Sequence, residues 1–330
     1  MLKKYLLLSL IVFVSTVMFS QEEVKTEFTP SGKPIIRVFA NYHTNINEIA
    51  KPEIKRGYLG YKYNISEKYS LKVIYDVADP NDGGKLEHTG YLKIAQLQYK
   101  YKKLQWRIGM IPTKSFKYQE HWWGYRYIYK SFQDQYKYNA SADIGASFEY
   151  RIIDAIRIDG IIQNGEGYKK IQSDATFRGG VGVTLEPMDN LRFRVYYDNS
   201  TKPSAQQQSL VTYFGYDFKN KVSFGAEYNL QLDNKLKKDR DLNGASAYLT
   251  YFINKKFQIF GRVDYLASNT LNGETESWNY NKDGNYYIGG VQVKLVKGVK
   301  VSLNYQGFQS INTDNELESM IFVNFEYRLK

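Results

Sequence analysis

The sequence predicts an all-β chain: a transmembrane antiparallel β-barrel of about sixteen strands with a long third loop folded into its lumen. Three observations predict it. Apolar and polar residues alternate through segments of about ten residues, as in Leu191-Arg192-Phe193-Arg194-Val195-Tyr196-Tyr197 and Val299-Lys300-Val301-Ser302-Leu303-Asn304-Tyr305, and the pattern persists to Leu329. The connections alternate between tight turns and longer polar loops. Beyond the first twenty residues no stretch approaches the eighteen apolar residues of a membrane helix. Alternation at period two places one set of side chains on each face of a sheet. Apolar residues outward, polar residues inward and an even number of bilayer-length strands describe a sheet closed in lipid around water.

The first element is not part of the barrel. Lys3 and Lys4, an apolar run from Tyr5 to about Met18, and Ser20-Gln21 have the layout of a cleaved secretory signal peptide over 1–20. That leaves 21–32 as a short lead and 33–330 as the barrel, destined for the outer membrane of a Gram-negative bacterium. There is no Cys, which excludes a lipidation site behind the signal, a disulfide framework and thiolate chemistry. Tyr 31, Phe 18 and Trp 4 supply the amphipathic rings that two interfacial girdles need. A secreted β-sandwich or propeller shares this composition, and the strand count and the final strand set it aside.

The strands are placed near 33–44, 53–64, 69–79, 88–101, 104–111, 141–150, 155–164, 175–186, 190–198, 209–219, 221–231, 242–253, 256–266, 285–296, 299–309 and 317–329. The count stays open by one hairpin either way. Tight turns are expected at Tyr101-Lys102-Lys103, Glu186-Pro187-Met188-Asp189, Phe218-Lys219-Asn220 and Val296-Lys297-Gly298. Strand 5 turns Leu104, Trp106, Ile108 and Met110 to lipid, strand 7 turns Ile156, Ile158 and Ile162, and strand 13 turns Phe257, Ile259, Val263 and Tyr265. Strand 4 breaks the rule, because Lys93 falls in phase with Leu97 and Tyr99, so a bulge or an interfacial position is needed there. The last strand, with Phe325 and Tyr327 two apart, resembles the signature that barrel assembly machinery reads, although the usual terminal Phe is absent.

The formal charge is +11, about +9 without Lys3 and Lys4. The basic residues are spread over alternate strand positions, which suits a water-filled lumen and not nucleic acid. Near the loops, outer-membrane lipid and lipopolysaccharide are the other partners they could meet. Alternation turns Arg37, Arg107, Arg157, Arg178, Arg192, Arg194 and Arg262 inward, with Asp143, Glu149, Asp159, Asp198, Glu227 and Asp264. Paired charges stiffen a wall and cancel part of its field, so each of these arginines is as much a candidate wall brace as an ion path.

The longest connection, Pro112 to Ala140, is the third at the loop end. It carries Phe116, Tyr118, Trp122, Trp123, Tyr125, Tyr127, Tyr129, Phe132 and Tyr136. Long loops are uncommon unless functional, and this much apolar area does not sit easily in water. Folding it against the inner wall would leave Lys114, Lys117, Arg126 and Lys130, with His121, Trp122 and Trp123, to form a constriction. Packing between protomers, or plugging the mouth, is the alternative.

Arg107-Ile108-Gly109-Met110-Ile111-Pro112, the aromatic loop, Asp143-Ile144-Gly145 and Gln163-Asn164-Gly165-Glu166-Gly167 come in the order seen in one family. The chain resembles the phosphate-selective porin O and P family, including its relatives in Bacteroidetes. The motifs cover about residues 100–170, and the strand layout covers the mature chain. The resemblance implies a trimeric, sixteen-stranded passive channel for small hydrophilic solutes that favours anions, phosphate among them, with an inward Arg ladder and a Lys cluster at the constriction. The acidic residues among the inward arginines favour a general, mildly anion-preferring pore over strict phosphate selectivity.

Other classes find little. His43, His88 and His121 have no Ser-containing constellation beside them, so no catalytic residue is assigned. Asp79-Pro80-Asn81-Asp82-Gly83-Gly84 is oxygen-rich but lacks the spacing and final Glu of a calcium loop, so no metal is expected. Gly165-Glu166-Gly167 has no phosphate-loop Lys, and no cofactor is expected. A plugged, structural or adhesive barrel without conductance is the remaining rival.

Overall fold

The computed structural model of the protein describes residues 28–45, 49–78, 87–171, 176–219, 221–311 and 317–329. The chain divides into Met1–Pro30 and Ser31–Lys330. The expected signal peptide, most of the lead and the Asp79–Gly84 stretch lie outside the described residues.

The second unit is a closed antiparallel barrel. Its strands are β1 (Ser31–Asn45), β2 (Lys51–Asn64), β3 (Tyr69–Ala78), β4 (Thr89–Tyr101), β5 (Leu104–Pro112), β6 (Ala142–Ile153), β7 (Ile156–Gln163), β8 (Arg178–Met188), β9 (Leu191–Lys202), β10 (Ala205–Phe218), β11 (Val222–Leu232), β12 (Leu242–Phe252), β13 (Phe257–Ser268), β14 (Gly284–Val296), β15 (Val299–Ser310) and β16 (Glu318–Arg328). Each strand pairs with its neighbours in sequence, and β1 pairs with β16, so no edge is left open.

The side chains are sorted opposite to a water-soluble domain. On β13, Phe257, Ile259, Val263 and Tyr265 are exposed on the outer face while Gln258, Arg262 and Asp264 are buried inside. The same division runs around the barrel: Ile, Leu, Val and Tyr form the exposed belt, and much of the buried set is Asn, Gln, Ser, Asp and Arg. Only a lipid surround makes both halves favourable.

Two bulges keep lysines out of that belt. Ile74 pairs with Ile94 and Tyr75 with Leu92, which skips Lys93. Phe39 pairs with Arg56 and Ala40 with Ile54, which skips Lys55. Lys93 thereby reaches Asp76 in the lumen at 3.4 Å, which meets the expectation of a bulge in strand 4.

Most strand ends shift by one to four residues from the sequence reading, and two connections change with them. Residues 199–208 are expected as an outer loop, but β9 and β10 run on to a two-residue connection, Pro203-Ser204. Gln206, Gln207 and Gln208 continue the ladder with no apolar alternation to reveal it. Glu186-Pro187-Met188 belongs to β8 and not to the turn, at an irregularity between Leu185 and Met188. Such a site accommodates a Pro without an amide hydrogen.

Candidate functional site

Residues 113–141, between β5 and β6, turn into the barrel. The segment contains two short helices, α1 (Lys117–Trp123) and α2 (Phe132–Gln135). Helix α1 ends on Gly124, whose φ of 73° reverses the chain without a Cβ penalty. The aromatics beyond it then lie on the far wall. Tyr125 stacks on Phe260 with centroids 4.3 Å apart, Tyr129 stacks on Tyr286 at 4.5 Å, and Trp123 meets Tyr248 edge-on at 5.5 Å. Their polar ends are satisfied as well. The Tyr125 and Tyr127 hydroxyls donate to Gln258 and Gln292, both at 3.0 Å. Burial pushes both phenols above their usual value.

Three of the inward arginines hold this loop. Arg194 donates to the carbonyl of Lys114 at 3.1 Å, Arg262 to that of Lys130 at 2.8 Å, and Arg178 to that of Tyr138 at 3.1 Å. Each also pairs with a carboxylate, Asp159, Asp264 and Asp198 respectively. All three are buried. They fasten the start, middle and end of the loop; Arg194 and Arg262 line neither cavity of the lumen, whereas Arg178 also borders the one on the loop side. Arg37 pairs with Glu326, Arg157 with Glu149 and Glu186, and Arg192 with Glu186. Arg192 also lies over the Tyr118 and Trp122 rings, while Arg107 donates to the neutral Gln98 at 3.1 Å.

Charged and polar side chains of the wall and the loop meet inside the barrel at what we call the throat. From the wall come Arg56, Tyr58, Asp76 and Lys93. Arg56 donates to the Tyr58 hydroxyl at 3.2 Å and lies 3.3 Å from Asp76. From the loop come Glu120 and Arg126; Arg126 sits 3.4 Å from Glu120 and 3.0 Å from Asp134. Enclosure alone would raise the Glu120 carboxyl, but the charges of Lys117, Arg126, Lys93 and Arg37 outweigh it and hold the group at about 2. Arg126 stays protonated, raised by Asp134 against the opposing effect of burial. Burial lowers Lys130, with Asp134 opposing and Arg126 adding to the effect.

A second loop reaches the same place, and the sequence motifs explain how. Asp143 accepts the amide hydrogens of Ile144 at 2.8 Å and Gly165 at 2.6 Å. Gly165 and Gly167 have φ of 102° and 87°, and a Cβ on Gly167 would stand 2.6 Å from that of Ala140. Pinned there, the β7–β8 connection passes the Tyr168 amide to the Ala142 carbonyl at 3.0 Å. The Tyr168 hydroxyl then donates to Asp76 at 2.6 Å. Arg56, Tyr58, Asp76 and Tyr168 are not singled out from sequence; only Lys93 is, by its break in phase.

A cavity of about 680 Å³ lies on the tight-turn side of the throat and one of about 710 Å³ on the loop side. Ten Lys and Arg line the first against two Glu. Nine line the second against three acidic residues. Lys114, Lys117, Arg126 and His121 face the first, and Lys130 the second, while Trp123 is buried and Trp122 packs on Tyr213. Lys114 contacts Glu149 at 2.9 Å and Lys117 lies 3.5 Å from Glu120. His43 contacts Asn41 at 2.8 Å and stacks on Phe322.

The chain matches no protein-family model and no curated protein. Solved structures do share its architecture. The outer membrane channel DcaP of Acinetobacter baumannii is 8% identical with a TM-score of 0.64, covering 94% of this chain and 100% of that one. OmpT, an outer membrane protein of Vibrio cholerae in its trimer form, is 13% identical with a TM-score of 0.60, covering 91% and 99%. A mutant of the Rh. blastica porin is 14% identical with a TM-score of 0.58, covering 91% and 100%. At these identities the likeness is one of fold, and the fold is that of outer-membrane porins.

Proposed function

We propose that the protein is a porin of the outer membrane of a Gram-negative bacterium, a passive diffusion channel for small hydrophilic solutes with a mild preference for anions, phosphate among them. The observation that carries this reading is the pair of strongly basic cavities on either side of a polar throat, inside a barrel with an apolar outer belt. Fields focused by low-dielectric walls raise the local concentration of the opposite charge. In the throat Arg56, Lys93 and Arg126 replace part of an anion's hydration, and Asp76 and Glu120 keep the site from holding it tightly. The solute leaves down its gradient, with no catalytic step, cofactor or metal. The membership we favour is the phosphate-selective family that the motifs resemble. Three copies side by side, in contact with lipid and lipopolysaccharide, is the assembly we favour, by analogy with the trimer form of the OmpT neighbour.

The test is single-channel conductance of the refolded mature chain in a planar bilayer, with the reversal potential under a KCl gradient. Stepwise current in threes and an anion-leaning reversal potential are expected, and phosphate should compete with chloride. A second reading, a plugged barrel, is favoured by the Tyr168–Asp76 bond, which ties the β7–β8 connection to the throat. Silence from a folded barrel, with current restored in Tyr168→Ala, would select it.

A further inference from the structure

Most inward arginines of the wall pair with a carboxylate, but Lys33, Lys62 and Lys72 on its first three strands do not. Lys33 on β1 stands opposite Lys62 on β2, and Lys62 stands opposite Lys72 on β3. Their neighbours Tyr61, Tyr63, Leu71 and Val73 are exposed on the outer face, so alternation turns all three lysines to the lumen. Lys62 and Lys72 line the cavity on the turn side of the throat. Among the described residues no carboxylate forms an ion pair with any of the three.

Side chains directly opposed on antiparallel strands have Cβ atoms about 4.5–5.5 Å apart, and like charges in those positions repel. Here the arrangement occurs twice in succession. Gln96 continues the row on β4, and Gly109 beyond it on β5 adds no side chain. Arg107, bonded to the neutral Gln98, and Lys117 of α1 face the same cavity. A wall that has ample carboxylates elsewhere leaves this run of cations to be neutralised by something that enters.

We propose that the Lys33–Lys62–Lys72 row is a binding site for small polycarboxylate anions, molecules with two or three carboxylates a few carbon atoms apart. The proposal rests on the porin reading for how such an anion arrives. A monovalent anion engages one exposed ammonium and gains little over water. An anion with two or three charges bridges neighbouring ammoniums and relieves their repulsion at once. Carboxylates separated by two or three carbons spread their charge over about one strand spacing, ~4.8 Å. Linked phosphates share a bridging oxygen and crowd their charges more closely. Lysine suits the task, since its flexible stem lets a compact charge follow either carboxylate oxygen.

Citrate, acetate and tripolyphosphate are the probes, added on the turn side of the full mature barrel while chloride current is recorded. Citrate should block at a concentration lower than acetate by about tenfold or more. In Lys62→Gln/Lys72→Gln that advantage should vanish, with block read in each barrel as a fraction of its own citrate-free chloride current. The substitution removes repulsion and places Gln beside the existing Gln96, so the barrel should fold. Calorimetry of citrate on the detergent-refolded barrel reads the same site without an open pore. Heat in the native chain that is lost in the variant supports the row even from a silent barrel, in which case the channel reading alone falls. Equal potency of citrate and acetate, or a variant indistinguishable from the native chain in both measurements, would overturn the site. Tripolyphosphate outcompeting citrate would overturn its assignment to carboxylates.

Discussion

At the scale of single residues, buried charge in this barrel works as fastening. Arg194 is fully enclosed between Asp159, Thr184 and the Lys114 carbonyl. Removing one member of a buried pair strands the other, which typically destabilises by about 3–5 kcal/mol. Arg194→Met should therefore lower the stability of the detergent-refolded barrel to urea by about that much, and adding Asp159→Asn should recover part of the loss. Glu120 carries a pH prediction with a definite sign. Its folded value of about 2 lies below the ordinary 4.5, so its contribution is fully present above 4.5 and is lost as pH falls through 2. Tryptophan fluorescence from Trp122 and Trp123 should report a docked loop down to about pH 4 and progressive release below it, and Glu120→Gln should remove that contribution to the acid transition. Alternation revealed which wall an arginine sits on. It could not reveal that Arg178, Arg194 and Arg262 would meet loop carbonyls, because those contacts join segments far apart in the chain. Lys93 was legible because it broke phase, whereas Asp76 and Tyr168 obey every local rule and are brought together by the fold alone.

At the scale of elements, the inward loop is a small apolar core inside a polar lumen. Phe39, Trp123, Tyr125, Tyr127, Ile128, Tyr213, Tyr248, Phe260 and Ile288 form one buried cluster. Trp123 is its largest member and also donates its indole hydrogen to the Tyr129 carbonyl at 3.0 Å. Trp123→Ala should cost about 3–5 kcal/mol. Its second effect should be functional: conductance should rise and become noisy as the undocked loop samples the bore. The length and aromatic content of this loop pointed to an inward course from sequence, since so many rings need cover, with packing between protomers as the other way to cover them. The β9–β10 hairpin was misread for the converse reason. Period two is visible only where the two faces differ, and three consecutive glutamines look the same from both sides.

At the scale of the whole molecule, the lipid surround decides what the outer face tolerates. Val263 stands mid-strand on the exposed belt of β13, with Arg262 and Asp264 directed inward on either side. Val263→Arg should destabilise the barrel in bilayers by about 2–4 kcal/mol, read as loss of the folded band in a heat-modifiability gel. The same substitution in detergent should cost less, because a micelle deforms around a charge more readily than a bilayer.

The seam between β1 and β16 has a consequence for how the molecule is made. Arg37 and Glu326, which bond across it, are 289 positions apart, while the other fifteen seams join strands consecutive in the chain. Local hairpins can zip early, but ring closure waits until both flanks have been delivered, and contacts this distant form slowly. Until then the sheet carries two raw margins able to recruit any extended peptide nearby. The vulnerable moment in the life of this protein is therefore its assembly, when the first and last strands still lack each other.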